Sequence, residues 1–568
     1  MPHPSTLRRF SVLFVIAAAL LWLQPGLALQ APSAMAHSQS RLQTATVPAA
    51  AAQREAAAPL APIRVAASDE PDGPLCECEG CTSVLVGRAA SADGATMTSH
   101  SCDSTTDRTW MNIVPRTTHK AGEMATLWMD PKESKGPNDP DRVPAGEIPQ
   151  VPETYTYLNA AYPVMNEHQL AIGETTFGGK RELKSDVGIV DAPELYRLVL
   201  ERAKTAREAI QIADQLTKEY GYNDYGEAFT FADKDEVWFF EILGPGRGKK
   251  GAVWAAVRIP DDEVAVSANA PRIRKLNLKD PASYMASANV YTLAEELGWW
   301  SGKSGEPFEF CTAYGSRTSL GSRRREWRAL SRLAPSLRLD ANAEHYPLSV
   351  KPEKKLTVKD VFDIFRDTYE GTAYDMTRNI LKVDKDGKAV KSPIANPFMN
   401  NDYLDAFKIT SERTIACKRA TYLTVTQSRK WLPDPVGGVV WLGYDNPMTT
   451  PHVPFYIGIS QMPASYMVDG RAKFRRDSAW WAFRQVSQLA FLRWQDMVKD
   501  IEKVWRPMEE KAWADQAAVE AEAVALYKQD PAKAREYLTA YSHKLANGAV
   551  DAYWKLAEDL WSKYTNLF

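Results

Sequence analysis

Downstream of residue 80 the apolar positions follow two rhythms, short alternating runs in the first half of the chain and a spacing of three and four towards its end. The segment Cys81 to Arg88 has the pattern of a strand through Val84 and Val86. It is followed by Ala92-Asp93-Gly94 and by a second run, Thr96 to His100. Asp-Gly between two such runs is a strong short-range hairpin signal, because both central turn positions need positive φ. Antiparallel pairing sets the start of one strand beside the end of the next, so Cys81 and Asp103 are expected to be near neighbours.

Further strands are expected at Met165 to Gly173, in a hairpin formed by Phe229–Ala232 and Val237–Leu243, at Val253–Ile259 and Val264–Ala268, and from Tyr422 to Trp441. Residues 115–155, rich in Pro, Gly, Lys and Asp, read as a long surface excursion. Asp191, Pro193 and Glu194 open a helix whose apolar positions run from Leu195 to Ile210. Helical spacing returns at 286–298, 357–369, 479–505 and through most of 508–564. Strands and helices come in blocks without a fixed repeat, which favours an α+β layered fold over a doubly wound sheet.

The first residues change the picture, because they read as an export signal. Arg8 and Arg9 precede the apolar run Phe10 to Leu23, Pro25 and Gly26 follow, and Ala34-Met35-Ala36 offers small residues for cleavage, with an earlier cut near Ala28 also open. A signal peptide over 1–36 is expected, followed by a propeptide or disordered linker over 37–80, too rich in Ala, Pro, Gln and Ser to bury a core. The rest divides into a main domain, 81–480, and a helical region, 481–568. No later segment is apolar enough to span a bilayer, so the mature chain is expected outside the cytoplasm, periplasmic or extracellular. A net charge of −2 gives no reason to expect nucleic acid.

Six cysteines are too few for a disulfide scaffold in 568 residues. Cys76, Cys78 and Cys81 form a C-x-C-x-x-C cluster, but no His pair or second Cys pair completes a four-ligand zinc site, so metal is the weaker reading and no cofactor is expected. Cys311 and Cys417 are open to pairing in an oxidising compartment. Cys81 has a stronger use. Cut between Gly80 and Cys81, the chain would begin with a residue carrying both a thiol and an α-amine. A free amine titrates at about 7.7 to 8.0 and a thiol near 8.5, so the amine can serve as base for its own sulfur. Left inside the chain, the same thiol needs another base, and His100, His168 and His452 are the histidines weighed for it.

The order Cys81-Thr82, Val86-Gly87, Asp93-Gly94, Asp103-Ser104, Asn166-Glu167, Glu174-Thr175-Thr176-Phe177, Ser267-Ala268-Asn269, Arg366-Asp367, Gly371-Thr372, Tyr374-Asp375 and Pro454-Phe455-Tyr456 resembles the cysteine dipeptidases of the N-terminal-nucleophile (Ntn) hydrolase superfamily, dipeptidase A type. The resemblance implies a four-layer αββα sandwich, hydrolysis of dipeptides or small peptides, and no metal. It implies Cys81 as nucleophile, Asp103 as a carboxylate supporting amine and thiol, and Asn269 as a group steadying the amine and the tetrahedral intermediate. Thr176 stands where the related acylases place an oxyanion donor. His100 stands where they have an arginine. Asn166, more for local backbone geometry than for contact, and Arg324, with Arg325 beside it, complete the set as candidate substrate-binding groups. Three alternatives stay open: an acylase on N-acylated amino acids with the same nucleophile, a Cys/His protease active without trimming, and a non-enzymatic exported binding protein built on the Cys cluster. A homo-oligomer is allowed by all of them.

Overall fold

The computed structural model describes residues 80–567. The described residues all belong to one compact unit. The expected signal peptide, nearly all of the expected propeptide or linker, and Cys76 and Cys78 lie outside the described residues.

Among the described residues, helix and sheet are mixed in an α+β arrangement with two large antiparallel sheets. One has eight strands in the order Tyr284–Ala286, Val253–Ile259, Val237–Leu243, Glu227–Ala232, Ala171–Thr176, Met165–Asn166, Tyr157–Asn159 and Asn112–Val114. Its central strands are buried from end to end, as expected of strands covered on both faces. The second is assembled from two pieces. Ser99–Asp103, Ala420–Gln427, Val439–Tyr444 and Val453–Tyr456 form a four-stranded sheet, and Ser83–Val86, Val264–Ser267 and Ser349–Val350 a three-stranded one.

The seam between those pieces lies along the segment that begins at Cys81. The expected hairpin closes at its turn end, where Val86 and Met97 exchange backbone hydrogen bonds of 2.9 and 3.1 Å. Nearer Cys81, Ser101 N donates to Thr82 O (2.9 Å), and serine hydroxyls take the neighbouring ladder positions. Thr82 N donates to Ser101 Oγ (3.1 Å), Val84 N donates to Ser99 Oγ (2.7 Å), and Ser99 Oγ donates back to Val84 O (2.9 Å). A hydroxyl both donates and accepts, so serines two residues apart can replace backbone partners. The full ladder partner of Ser83–Val86 is therefore Val264–Ser267, a pairing that the local pattern does not reveal. Gly80 N still donates to Asp103 O (3.0 Å), so the expected closeness of Cys81 and Asp103 holds.

The two sheets face each other with polar contacts between them. Ser83 Oγ donates to Glu174 O (2.8 Å), and Thr98 Oγ1 lies 2.6 Å from Thr230 Oγ1. At Gly173 an added Cβ would stand 2.3 Å from Ser99 O, so only glycine permits this approach. Helices Ala192–Leu200 and Ala206–Tyr220 cover the outer face of the large sheet. Leu320–Leu333, Val358–Phe365, Ala479–Ala490, Trp494–Gln529 and Pro531–Tyr564 pack against the other sheet.

Three expectations need correction in detail. The helical pattern from Leu195 to Ile210 is two helices, because Thr205 accepts from Glu208 N as a fresh N-cap and restarts the chain direction. The excursion over 115–155 contains a ribbon, Met124–Trp128 paired with Pro144–Pro149, whose inward Leu127 and Ile148 are fully buried. Cys311 is a free thiol, so the pairing with Cys417 that the sequence left open does not form. No described helix is long and apolar enough to cross a membrane.

Candidate active site

Cys81 emerges from the seam with its side chain turned between the sheets, 8 % exposed. Its sulfur, the imidazole of His100 and the carboxylate of Glu174 converge, one donor atom of each within 4.8 Å of the others. His100 comes from Ser99–Asp103 and Glu174 from the facing strand Ala171–Thr176. His100 Nε2 and Glu174 Oε2 are 2.9 Å apart, yet neither atom makes an aligned hydrogen bond. Tyr162 and Tyr422 pack edge-on around the imidazole and fix its plane.

The electrostatics are dominated by buried carboxyl groups. Burial alone would raise Glu174, but Glu227 beside it and the His100 imidazole hold it down at about 2. Glu227 is pushed well up by burial and by the Glu174 charge, so this pair carries one proton, on Glu227. Thr176 Oγ1 donates to Glu174 Oε1 (2.9 Å) and so supports the ionised partner. Burial, with Glu174, Cys102 and Asp103 adding to it, pushes the Cys81 thiol well above its ordinary range. In the uncut chain the sulfur is accordingly a neutral thiol facing a carboxylate, a proton donor held against a proton acceptor.

Two arginines grip the backbone on either side of the Gly80–Cys81 peptide bond. Arg413 Nη2 donates to Gly80 O (3.1 Å) and to Asp103 Oδ2. Arg325 Nη1 donates to Cys81 O (2.7 Å) and Thr82 Oγ1 (3.0 Å), while its Nη2 donates to Asn269 Oδ1 (2.9 Å). Asn269, in the left-handed region at φ 60°, donates through Nδ2 to Thr176 O (2.6 Å). Gly80 has φ +125°, and a Cβ there would stand 2.4 Å from Asn269 Oδ1, so this position is reserved for glycine. Asp103 is fully buried. Burial raises its carboxyl against the opposing pull of Arg413 and Arg325.

The structure thus brings together Cys81, Asp103, Asn269, Thr176 and His100. Asn166 lies elsewhere. Its Nδ2 donates to Leu200 O and Ala203 O at 2.8 and 2.7 Å, tying a strand end to the end of a helix. Arg324 is paired with Glu412 and lies 3.8 Å over the Tyr374 ring, while its neighbour Arg325 is the one that reaches Cys81. His168 faces Asp434 and His452 faces Glu509, away from the sulfur. The sequence pattern offered Glu174 among the family motifs without giving it a role at the site, and Arg413 was passed over. Glu174 carried a signal, a carboxylate in the middle of a strand that is otherwise uncharged. Arg413, in the irregular stretch Ser411-Glu412-Arg413-Thr414, carried none.

A thiol, a carboxylate and an arginine-lined carbonyl in one buried cluster suit acyl transfer. Comparison with known proteins decides the family: the description of peptidase family C69 matches residues 80–507. The chain belongs to peptidase family C69. It is a peptidase, a hydrolase of peptide bonds, and the resemblance to cysteine dipeptidases holds across most of its length. Relatives include a probable dipeptidase of Latilactobacillus sakei, 25 % identical over 86 % of this chain and 97 % of its own length. A probable dipeptidase B of Lactococcus lactis subsp. lactis (strain IL1403) is 28 % identical over 71 % of this chain and 79 % of its own. A probable dipeptidase of Salmonella dublin is 24 % identical over 67 % and 81 %. In this C69 peptidase the family match opens on Gly80, the residue held between Arg413 and Asn269.

Proposed function

We propose that the protein is an exported cysteine dipeptidase made competent by removal of its leader up to Gly80. The observation that carries this reading is the cradle around one peptide bond. The Cys81 thiol faces Glu174, the Gly80 carbonyl faces Arg413, and the Cys81 carbonyl is clamped by Arg325. The fold reading that goes with it is the Ntn αββα sandwich over 81–480 with the helical region 481–568 docked on it. Two facing antiparallel sheets with helices on both outer faces support that reading.

In the uncut chain the Cys81 sulfur attacks the Gly80 carbonyl carbon as its proton passes to the Cys81 nitrogen. The oxyanion develops against Arg413, the carbon–nitrogen bond breaks, and the Cys81 nitrogen leaves as an amine carrying that proton. A thioester joins Gly80 to the Cys81 sulfur until water hydrolyses it, freeing the leader as a carboxylate. In turnover the α-amine takes over as base, the sulfur attacks the substrate's peptide carbonyl, and the amine returns the proton to the departing amino group. Asp103 and Asn269 border the Gly80–Cys81 junction, where that amine would lie. The dipeptide substrate is taken from the relatives' names, and export from Arg8, Arg9 and the apolar run that follows them.

One observation favours a second reading. Cys81, His100 and Glu174 also resemble a thiol–imidazole–carboxylate array that would work without trimming. Amino-terminal sequencing of active, purified protein separates the two. An active chain beginning at Cys81 supports the proposal, and an active chain with Cys81 still joined to Gly80 overturns it.

Arg413 gives an independent check. Arg413→Met is expected to slow leader removal by about 10²- to 10³-fold, the usual loss for one oxyanion donor, and Arg413→Lys to recover part of the rate. Mass spectrometry of the chain over time after synthesis reads both. Trimming of Arg413→Met at the wild-type rate would take Arg413 out of the cleavage step.

A further inference from the structure

The three donors that meet at the proposed nucleophile are one soft sulfur, one imidazole nitrogen and one carboxylate oxygen, and the buried His100 Nε2 and Glu174 Oε2 have no aligned hydrogen-bond partner. His100 Nε2 and Glu174 Oε2 are fully buried, 2.9 Å apart, and out of line for a hydrogen bond. Both aim into the space beside the Cys81 sulfur, with all three donor atoms within 4.8 Å of each other. Zinc takes sulfur at about 2.3 Å and nitrogen or oxygen at about 2.0 to 2.2 Å in a tetrahedron, which places its ligand atoms roughly 3.3 to 3.7 Å apart. The observed cluster needs only small side-chain adjustments to reach that spacing.

We infer that this pocket is an inhibitory zinc site, in which one Zn2+ is held by Cys81 Sγ, His100 Nε2 and a Glu174 oxygen, with the Cys81 α-amine of the trimmed chain as fourth ligand. Sulfur and α-amine of one cysteine close a five-membered chelate ring. The fourth donor rests on the trimming proposed above, and the other three do not. Binding releases the thiol proton and any proton on the amine to solvent, and nothing is oxidised. The ion occupies the sulfur lone pair that would attack the substrate and the amine lone pair that would act as base, so bound zinc stops hydrolysis. The thiolate selects Zn2+ over the hard ions Mg2+ and Ca2+. Two of the donors come from the strand Ser99–Asp103 and the facing strand Ala171–Thr176, so bound zinc also ties the two sheets together at this point.

The test uses trimmed, reduced protein whose first residue has been shown to be Cys81, stripped with a chelator and titrated with ZnCl2, with MgCl2 as control. Calorimetry should give one Zn2+ per chain. Saturating Zn2+ should slow alkylation of Cys81 by iodoacetamide at least about tenfold, read on the peptide carrying Cys81, and dipeptide hydrolysis should stop and return on chelation. Glu174→Gln and His100→Gln should each weaken Zn2+ binding by at least about tenfold, a loss seen even for outer-shell partners. If those variants do not fold, Co2+ in the wild-type protein answers the same question, through a sulfur-to-metal charge-transfer band and the strong visible bands of four-coordinate cobalt. Unchanged alkylation of Cys81 at saturating Zn2+, or Co2+ bound without the sulfur band, overturns the inference. The outcomes stay separable from the functional reading. Failure of zinc-free, trimmed protein to cleave dipeptides speaks against the dipeptidase assignment and leaves the metal result standing.

Discussion

Cys81→Ala should yield a folded protein that keeps its leader and hydrolyses no dipeptide. In the proposed scheme one sulfur performs both reactions, so a single substitution removes both. The loss of turnover is expected to be about 10⁴-fold or more, the scale seen when a covalent nucleophile is deleted. The fold should survive, because the change removes one sulfur atom and costs about 1 kcal/mol. It also leaves Arg325 on the Cys81 carbonyl and Arg413 on the Gly80 carbonyl, which are backbone contacts. Circular dichroism, intact mass and a dipeptide assay together give the answer. A variant that still loses its leader would show that another protease cuts the precursor. Wild-type-like turnover would remove Cys81 from the mechanism.

Much of this site was legible because its parts follow from local rules. The pairing of the two runs brings Asp103 to Cys81, with Gly80 N to Asp103 O at 3.0 Å. The connection, however, is the longer loop 87–96 between Val86 and Met97, in which Gly94 has positive φ and Asp93 does not, instead of the tight Asp-Gly turn expected. The helices with clean caps were equally legible: Asp191 accepts from Glu194 N, and Thr357 with Asp360 forms a capping box. What stayed hidden depends on pairing across long separations. Glu174 matters because the strand Ala171–Thr176 lies on the opposing sheet, 93 residues beyond Cys81, and no short-range signal sets two sheets face to face. Arg413 arrives from an irregular segment with no period to read.

Arg325 is a middle case. In Leu320–Leu333 the buried positions are Ser322, Arg325, Glu326, Ala329, Leu330 and Leu333, a helical stripe on which Arg325 falls and Arg324 does not. Reading the arginine run against that stripe would have favoured Arg325, since an arginine on the apolar face must be paired to be tolerated. The same reasoning recasts Arg366-Asp367, which the sequence pattern offered among the family motifs. Asp367 binds Arg328 and Arg332, and Arg366 binds Glu509 and His452. Arg366 thus ties the end of helix Val358–Phe365 to Trp494–Gln529, and Asp367 ties it to Leu320–Leu333; neither pairs with Cys81.

That joint sets the second large expectation. Glu509, fully buried on Trp494–Gln529, accepts from Arg366, from His452 N (2.8 Å), and pairs with His452 Nδ1 at 2.7 Å. The imidazole stacks on Phe362 at 3.9 Å, so helix Val358–Phe365, strand Val453–Tyr456 and the long helix meet around one carboxylate. Glu509→Gln keeps the shape but leaves Arg366 as a buried cation without its counter-charge, and breaking such a pair costs about 3 to 5 kcal/mol. The wild-type joint should also fail in acid. Burial opposes the Glu509 charge, but Arg366 and His452 outweigh it and hold the carboxyl at about 2. A group depressed in the folded state stabilises above its unfolded pKa and loses that contribution as pH falls through the window from about 4.5 to 2. Burial likewise lowers His452, so the unfolded chain takes up a proton there first, and stability falls in the same direction below about pH 6.5. Thermal unfolding across pH 7 to 3 should therefore show a steep acid loss in the wild type and a shallower one, from a lower starting midpoint, in Glu509→Gln. Equal slopes in the two proteins would show that the Arg366–Glu509–His452 cluster does not govern the acid response.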